Sequence, residues 1–482
     1  MDAERRIAEL EGQLADRDLQ LAVKDRQIAE LSARVAELEK KLQALMSELG
    51  RTSSNSNLPP SSDSPRERAN RSQKSVKEDK RSRGGQPKHP GHRRELVPAA
   101  EVDDVVHFFP SHCEHCSGPL QSVECAEPIR FQLTELPAFE PHVTEYRRHT
   151  VKCPRCRKAT TAPHDEARIP LSPFGPRLMS FVGVLTGYYH LSRRRAAGLL
   201  HDMMGVKVSL GAVSAVEKRV SDAVATPVQE AWQRVLKSEV KHTDGTTWYQ
   251  SGVTLSLWVI ATALATVFKV LANGQKETLE PLFGTPRGVL VSDRATALTF
   301  WAMECRQICW AHLLRKFVSF SERDGPGGKV GRELLAYSGL VFDYWHQYRD
   351  GELKGELFRA WMAALRQQVE ALLERVAKSD VPHVSGSCAN ILEHRAALWT
   401  FVDEDGVEPT NNHAERELRA FVLWRKKSYG SQSERGNRFA ERLMTVAHTA
   451  RKQNKNVLEF ITECCVAHVD GTPPPSLFPS AA

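Results

Sequence analysis

Gly288-Val289-Leu290-Val291-Ser292-Asp293 is a short apolar run closed by a carboxylate. A run of this length reads as a strand buried on both faces, as in the interior of a parallel sheet. Upstream, Val240, His242 and Asp244 alternate with Lys241 and Thr243 as on a second strand, and Gly245 is expected to end that strand with Asp244 near its rim. Thr254 to Lys269 fits a strand pair folded back near Thr262 to Ala265, and Glu277 to Leu282 fits a short helix. Two aspartates at strand ends can hold hard divalent cations, which prefer oxygen ligands. The same residues also serve as ordinary turn residues or helix caps, and the two strands alone leave both readings open.

A third carboxylate tips the balance. Glu408-Pro-Thr-Asn-Asn-His-Ala-Glu415-Arg-Glu-Leu-Arg419 opens a helix whose apolar face is Ala414, Leu418, Phe421 and Val422, with Glu415 near its first turn and Glu417 as the rival acid. Arg416, Arg419, Arg425, Lys426 and Lys427 surround it, which suits a phosphate-bearing substrate beside a metal. Cys309 and His312 follow the second aspartate at i, i+3 on an expected helix, a spacing that ordinary core packing also gives.

The chain has 482 residues, room for roughly three domains, and its 41% hydrophobic and 26% charged residues exclude collagen-like, wholly disordered and mini-protein classes. Residues 245–268 carry no charge, but ten Thr, Ser, Gln and Gly residues interrupt them, so they read as buried sheet rather than a membrane span. No secretory signal pattern is present, so a cytoplasmic location is expected, with ten cysteines kept reduced.

Ile7, Leu14, Leu21, Ile28, Val35, Leu42 and Leu49 recur every seven residues, with Leu10, Leu31, Leu38 and Leu45 three positions on, predicting a coiled coil and self-association. Residues 51–94 carry 12 basic and 4 acidic side chains and almost no large aliphatic residue, predicting a flexible basic tether. Lys80, Arg81, Arg83, Lys88, Arg93 and Arg94 in it are candidate contacts to a polyanion, DNA or RNA. Cys113-Glu-His-Cys116 and Cys153-Pro-Arg-Cys156, 36 residues apart, predict a structural four-cysteine zinc site joined by a strand hairpin through Arg130 to Val151. From Pro170 to Val220 the pattern turns helical. Arg193, Arg194 and Arg195 lead one helix, Gly205 interrupts, and Val213, Val216 and Val220 mark the next, a helix-turn-helix-like unit able to enter a DNA groove.

Taken in order, these motifs resemble the transposases of the insertion sequence 66 family. The likeness rests on the zipper, Ser53-Ser-Asn-Ser-Asn-Leu-Pro-Pro-Ser, Gly84-Gly-Gln-Pro-Lys-His-Pro-Gly-His and the paired cysteines. It continues through His242-Thr-Asp244-Gly-Thr, Ser292-Asp293, Cys309-Trp-Ala-His312 and Asn411-Asn-His-Ala-Glu415-Arg. Asp293-Arg-Ala-Thr stands where Asp-Gly-Tyr is expected, Lys88-His-Pro where Gly-His-Lys is expected, and Leu314-Arg315 in place of a double arginine. The resemblance implies a ribonuclease H-like catalytic domain with the triad Asp244, Asp293 and Glu415 holding two Mg2+ (or Mn2+), and Cys309 and His312 as active-site support, with core packing as their alternative. It also implies a helical insertion, whose expected stripe is Phe358, Trp361, Met362, Leu365, Val369, Leu372, Leu373 and Val376.

The expected architecture is a zipper over 1–50, a basic linker over 51–98, a zinc ribbon over 99–168 and a helix-turn-helix-like unit over 169–232. An α/β catalytic domain over 233–465, with an insertion over about 320–400, precedes a tail over 466–482. The resemblance further implies binding and cleavage of element ends and strand transfer to target DNA, small accessory proteins of the same element as partners, no membrane association and bacterial nucleoid association during activity. A transposase-derived DNA-binding protein that no longer cuts is the alternative; a scaffold organised by the zipper leaves the ordered motifs unexplained.

Overall fold

The computed structural model describes residues 95–165, 169–170 and 172–479, with Lys24 and Asp63. The zipper and the tether's Lys80, Arg81, Arg83, Lys88, Arg93 and Arg94 lie outside the described residues. The described chain forms two compact units: one from residues 95–173 with 191–215, the other from 174–190 with 216–479.

The smaller unit holds both cysteine pairs and an antiparallel hairpin of β1 (Thr150–Lys152) and β2 (Ala159–Thr161). The hairpin expected through Arg130 to Val151 is not formed; only its last two residues are strand. Ile129, Phe131 and Leu133 alternate with polar residues as a strand would, yet all three are exposed. A period-two pattern specifies a strand only where a partner and a core reward it. Here the Gln132 and Arg130 side chains, not a backbone ladder, bond to Val97.

Four helices follow: α1 (Pro176–Gly187), α2 (Arg193–Met204), α3 (Leu210–Ala223) and α4 (Ala225–Lys237). Ser192 caps α2 by accepting the Arg195 N–H at 3.3 Å, and Gly205 closes it in the left-handed region at φ 68°. The division between the two units falls within α3.

The larger unit is built on a five-stranded mixed sheet of β3 (Val240–Gln250), β4 (Val253–Ala261), β5 (Thr266–Leu271), β6 (Val289–Ser292) and β7 (Arg306–Ile308), in the order β5-β4-β3-β6-β7. β4 runs antiparallel to β3 and β5, while β3, β6 and β7 are parallel neighbours. The uncharged stretch 245–268 lies in this sheet and its turns, and no described helix is long and apolar enough to cross a membrane. Gly245 does not end β3. It pairs with Trp258 on β4, and a Cβ there would lie 2.9 Å from the Trp258 ring, so the missing side chain makes room for an indole within a continuing strand. The hairpin turn comes later, at Ser251 and Gly252, both at positive φ (49° and 86°), the handedness that matches strand twist.

α5 (Lys276–Phe283) links β5 to β6. After β7, α6 (Trp310–Ser321) leads into the expected insertion, which holds α7 (Gly325–Arg349), α8 (Gly355–Ala377) and α9 (Ser385–Leu392), with the short α10 (Thr400–Asp403) at its end. Phe358, Met362, Leu365, Val369, Leu372, Leu373 and Val376 are buried on α8, whereas Trp361 is 40% exposed and meets Tyr344 in a tilted ring contact, 4.7 Å between ring centres. The insertion is tied to the sheet where it returns. Leu398 O accepts from Trp310 Nε1 at 2.7 Å and Gln307 Nε2 at 3.2 Å, and the Phe401 N–H donates to Gln307 Oε1 at 2.9 Å. α11 (Asn412–Ser428) then packs on β3 and β4, α12 (Glu434–Lys452) on β5, and α13 (Val457–Asp470) on α1. The segment expected as a tail from 466 is instead partly helix and partly docked: Leu477 is fully buried and its N–H donates to Glu230 of α4 at 3.0 Å.

Candidate active site

β3 and β6 are paired as far as His242 and Val291. Asp244, inside β3, and Asp293, just past the end of β6, each stand two residues beyond that pair, and residues two apart share a face of a sheet, so both carboxylates lie on the same side of neighbouring strands. Fully buried Asn411 joins the third acid to them. Its Nδ2 donates to Thr243 O at 2.8 Å and its N–H to Cys309 Sγ at 3.2 Å, while the Trp310 N–H donates to Pro409 O at 2.9 Å. Residues 409–411 are thus bound to β3 on one side and to the start of α6 on the other. Glu415, in the first turn of α11, comes within electrostatic reach of Asp244.

Burial, then the charge of Asp293, and more weakly that of Glu415, push the Asp244 carboxyl up to about 7. The Gly245 N–H, donating to Oδ1 at 2.8 Å, and Arg315 oppose the rise without cancelling it. Asp293 Oδ1 accepts the Ala295 N–H at 2.9 Å. Beneath it, fully buried Arg306 donates from Nη2 to Ser292 Oγ and Asp293 O, each at 3.1 Å. The centre is therefore acidic and under-neutralised, the condition in which a divalent cation gains most.

Cys309 and His312 stand beside Glu415. One ligand atom from each of the three lies within 4.8 Å of the others, the one such cluster of three or more His, Cys, Asp or Glu groups among the described residues. Burial raises the Cys309 thiol to about 11, and burial followed by Arg315 holds the His312 imidazole below its usual range. His242, two residues before Asp244, is held down to about 3 by burial and by His413, whose ring centre is 4.9 Å away.

Glu417 is not part of this centre. Two residues along a helix turn about 200° around its axis, so Glu417 points away from Glu415. It hydrogen-bonds His448 Nδ1 and meets Lys452 Nζ at 3.1 Å and His413 Nε2 at 3.7 Å. These partners hold its carboxyl well below the usual range despite burial. Arg425 is likewise engaged within the fold, donating to Thr246 Oγ1 at 3.0 Å and to the Thr247 carbonyl, which removes it from the exposed basic set. Arg416, Arg419 and Lys426 are exposed on α11, and Arg193, Arg194 and Arg195 are exposed at the N-terminus of α2. Asn411 and Arg315 had no assigned role from sequence. Asn411 lay inside the Glu415 motif, and Arg315 lies one turn after His312, a spacing that places both on one helix face.

Cys113–Cys116 and Cys153–Cys156 adopt the same turn. In each, the first cysteine accepts an N–H four residues on and donates its own N–H five residues on, at 2.8–2.9 Å. Each is closed by matching pairs, His112 with Pro119 and Lys152 with Ala159. Ser117 and Arg157 take equivalent left-handed conformations. Amide N–H groups directed at the first sulfur, from His115 in one turn and Cys156 in the other, lower both thiols. The two pairs are not gathered into one cluster among the described residues.

Fold and site together define a mixed α/β protein with an acidic centre at neighbouring strand ends. Residues 172–439, more than half of the chain, match the model of the Transposase IS66 family, and the chain belongs to that family. Residues 2–95 match a family of unknown function (DUF6444), and no curated protein matches the chain. Its role is that of a transposase, and DNA is the partner that role implies.

Proposed function

We propose that this protein binds the ends of an insertion sequence and carries out metal-dependent strand cleavage and strand transfer on DNA, through a ribonuclease H-like domain. The observation that carries the reading is the placement of Asp244 on β3 beside Asp293 at the end of the neighbouring parallel strand, with Asp293 and Glu415 both close enough to raise its proton affinity. The strand order β5-β4-β3-β6-β7, with its antiparallel hairpin arm beside parallel strands, supports the ribonuclease H-like assignment.

The donor set fits Mg2+ or Mn2+: three carboxylates, one of them with a buried oxygen, Glu415 Oε1, that lacks a hydrogen-bond partner. Bound there, two such ions would supply Lewis acidity to the attacking and leaving oxygens of an in-line phosphoryl displacement. The chain's own groups prepare the site. Asp244 must give up its proton to become a ligand, and the backbone N–H groups of Gly245 and Ala295 orient the two aspartates. Arg416, Arg419 and Lys426 offer phosphate contacts along α11. The arginines at the start of α2 occupy the positive end of a helix dipole, where cations are disfavoured and a phosphate is welcome. The two identical cysteine turns, with first thiols poised toward thiolate, fit Zn2+ as structural ligands Cys113, Cys116, Cys153 and Cys156.

Purified protein is expected to nick labelled element ends in Mg2+, and Asp244→Asn is expected to retain end binding while losing cleavage by at least a thousandfold, on the order of what loss of an essential metal ligand removes. Undiminished nicking by that variant removes Asp244 from the reaction. End binding without cleavage by the parent protein would favour the non-cutting alternative.

A further inference from the structure

Two buried polar atoms in the acidic centre have no hydrogen-bond partner, His312 Nδ1 and Glu415 Oε1, and they lie 3.8 Å apart. The other ring nitrogen, Nε2, is 3.4 Å from Arg315 Nη1. A guanidinium has donors and no acceptor, so Nε2 must present its lone pair. An imidazolium, or a ring protonated on Nε2, would set N–H against N–H. The ring's one proton therefore belongs on Nδ1, the nitrogen that faces the carboxylate. Arg315 also reaches the carboxylate directly, with Nη2 3.7 Å from Glu415 Oε2. One turn of α6 thus brings a nitrogen within 4 Å of each oxygen of Glu415.

The cluster could instead be read as a soft-metal site, since Cys309, His312 and Glu415 offer ligand atoms within 4.8 Å of one another. One observation argues against it: the Arg315 guanidinium, 3.4 Å from His312 Nε2 and 3.7 Å from Glu415 Oε2, already sets a positive charge beside both groups, which disfavours a second cation there.

We infer that His312 is a positioning residue for Glu415: Arg315 fixes it as the Nδ1–H tautomer, and Arg315, His312 and Glu415 form a relay that aims the carboxylate into the acidic centre. The relay rests on the reading of Glu415 as a metal ligand. Cys309, bonded to Asn411 at the base of α11, anchors the helix that carries this carboxylate.

Two measurements test it on the full chain. With 15N-labelled histidine, the resonances that vanish in His312→Asn should report a protonated Nδ1 and an unprotonated Nε2 in the parent, and Arg315→Met should abolish that tautomer preference. In a Mg2+ titration of end cleavage, Asn places an amide N–H near the position of Nδ1 and Gln near that of Nε2. His312→Asn should therefore keep the half-saturating Mg2+ within about threefold of the parent, while His312→Gln raises it about tenfold or more, the scale of a lost outer-sphere contact to a ligand. A merely structural role would move neither tautomer nor metal requirement in this residue-specific way. Protonated Nε2 in the parent overturns the relay, as do equal metal requirements in the two variants, or a cobalt–thiolate absorption band removed by Cys309→Ala. A parent protein that cuts no end DNA at any Mg2+ concentration overturns the catalytic reading instead, and the nitrogen shifts still decide the relay.

Discussion

Asp244 is the carboxylate most strongly perturbed by its neighbours in the acidic centre. Its carboxyl is raised from 3.8 to about 7 in the folded chain, so between those values the folded state binds more protons than the unfolded state. Stability of the metal-free protein therefore falls as pH rises through this window, the reverse of the usual paired carboxylate. In EDTA at pH 8, Asp244→Asn should melt higher than the parent by roughly 5 °C, and saturating Mg2+ should narrow or reverse the gap. A variant that melts lower than the parent under those conditions contradicts the proposed strain among the three carboxylates. Glu417 behaves oppositely. It is bonded by His413, His448 and Lys452, so Glu417→Ala strands a buried ammonium and should cost about 3 kcal/mol or more in denaturant unfolding. Local residues left Glu417 as a rival to Glu415, which only the family resemblance favoured, because both stand in one basic helix start and packing decides which side of α11 faces Asp244.

At the level of elements, the site depends on helices held in register by close backbone approach. α7 crosses the end of α6 at Gly331, where a Cβ would fall 2.1 Å from the Ser321 backbone nitrogen and 2.6 Å from the Phe320 carbonyl carbon. No rotamer can relieve a clash between backbones, so Gly331→Ala should destabilise by about 3 kcal/mol. α6 also carries His312 and Arg315, so the same variant should raise the Mg2+ requirement for cleavage; an unchanged melting temperature would show that the crossing yields more easily than its geometry implies. The strands around Asp244 and Asp293 were readable because alternation and apolar runs are local signals. The end of β3 was misplaced because Gly245 looked like punctuation, whereas its meaning lies across the sheet in Trp258. Trp361 joined the expected stripe of α8 by spacing alone, yet the insertion closes without it.

Across the whole molecule, charge and metal supply the remaining tests. Binding to end DNA should weaken linearly in log–log salt plots, and replacing Arg416 and Arg419 together by alanine should reduce the slope by about two, one per lost phosphate contact. An unchanged slope would remove α11 from the DNA interface. Metal analysis should find stoichiometric zinc in the parent and none after joint replacement of Cys113 and Cys153. By itself the sequence determined what periodicity, spacing and composition encode: the sheet strands, the two cysteine turns and the acidic residues worth watching, read from neighbours in the chain, while the insertion and the triad came from the family resemblance. Tertiary structure alone decided which distant groups share a space. Asn411 draws α11 to β3, Arg425 is engaged by Thr246 and Thr247, Glu417 turns away, and His312 with Arg315 meets Glu415. Those pairings depend on desolvation and on donors and acceptors finding one another across dozens of residues or more, and no local pattern carries that information.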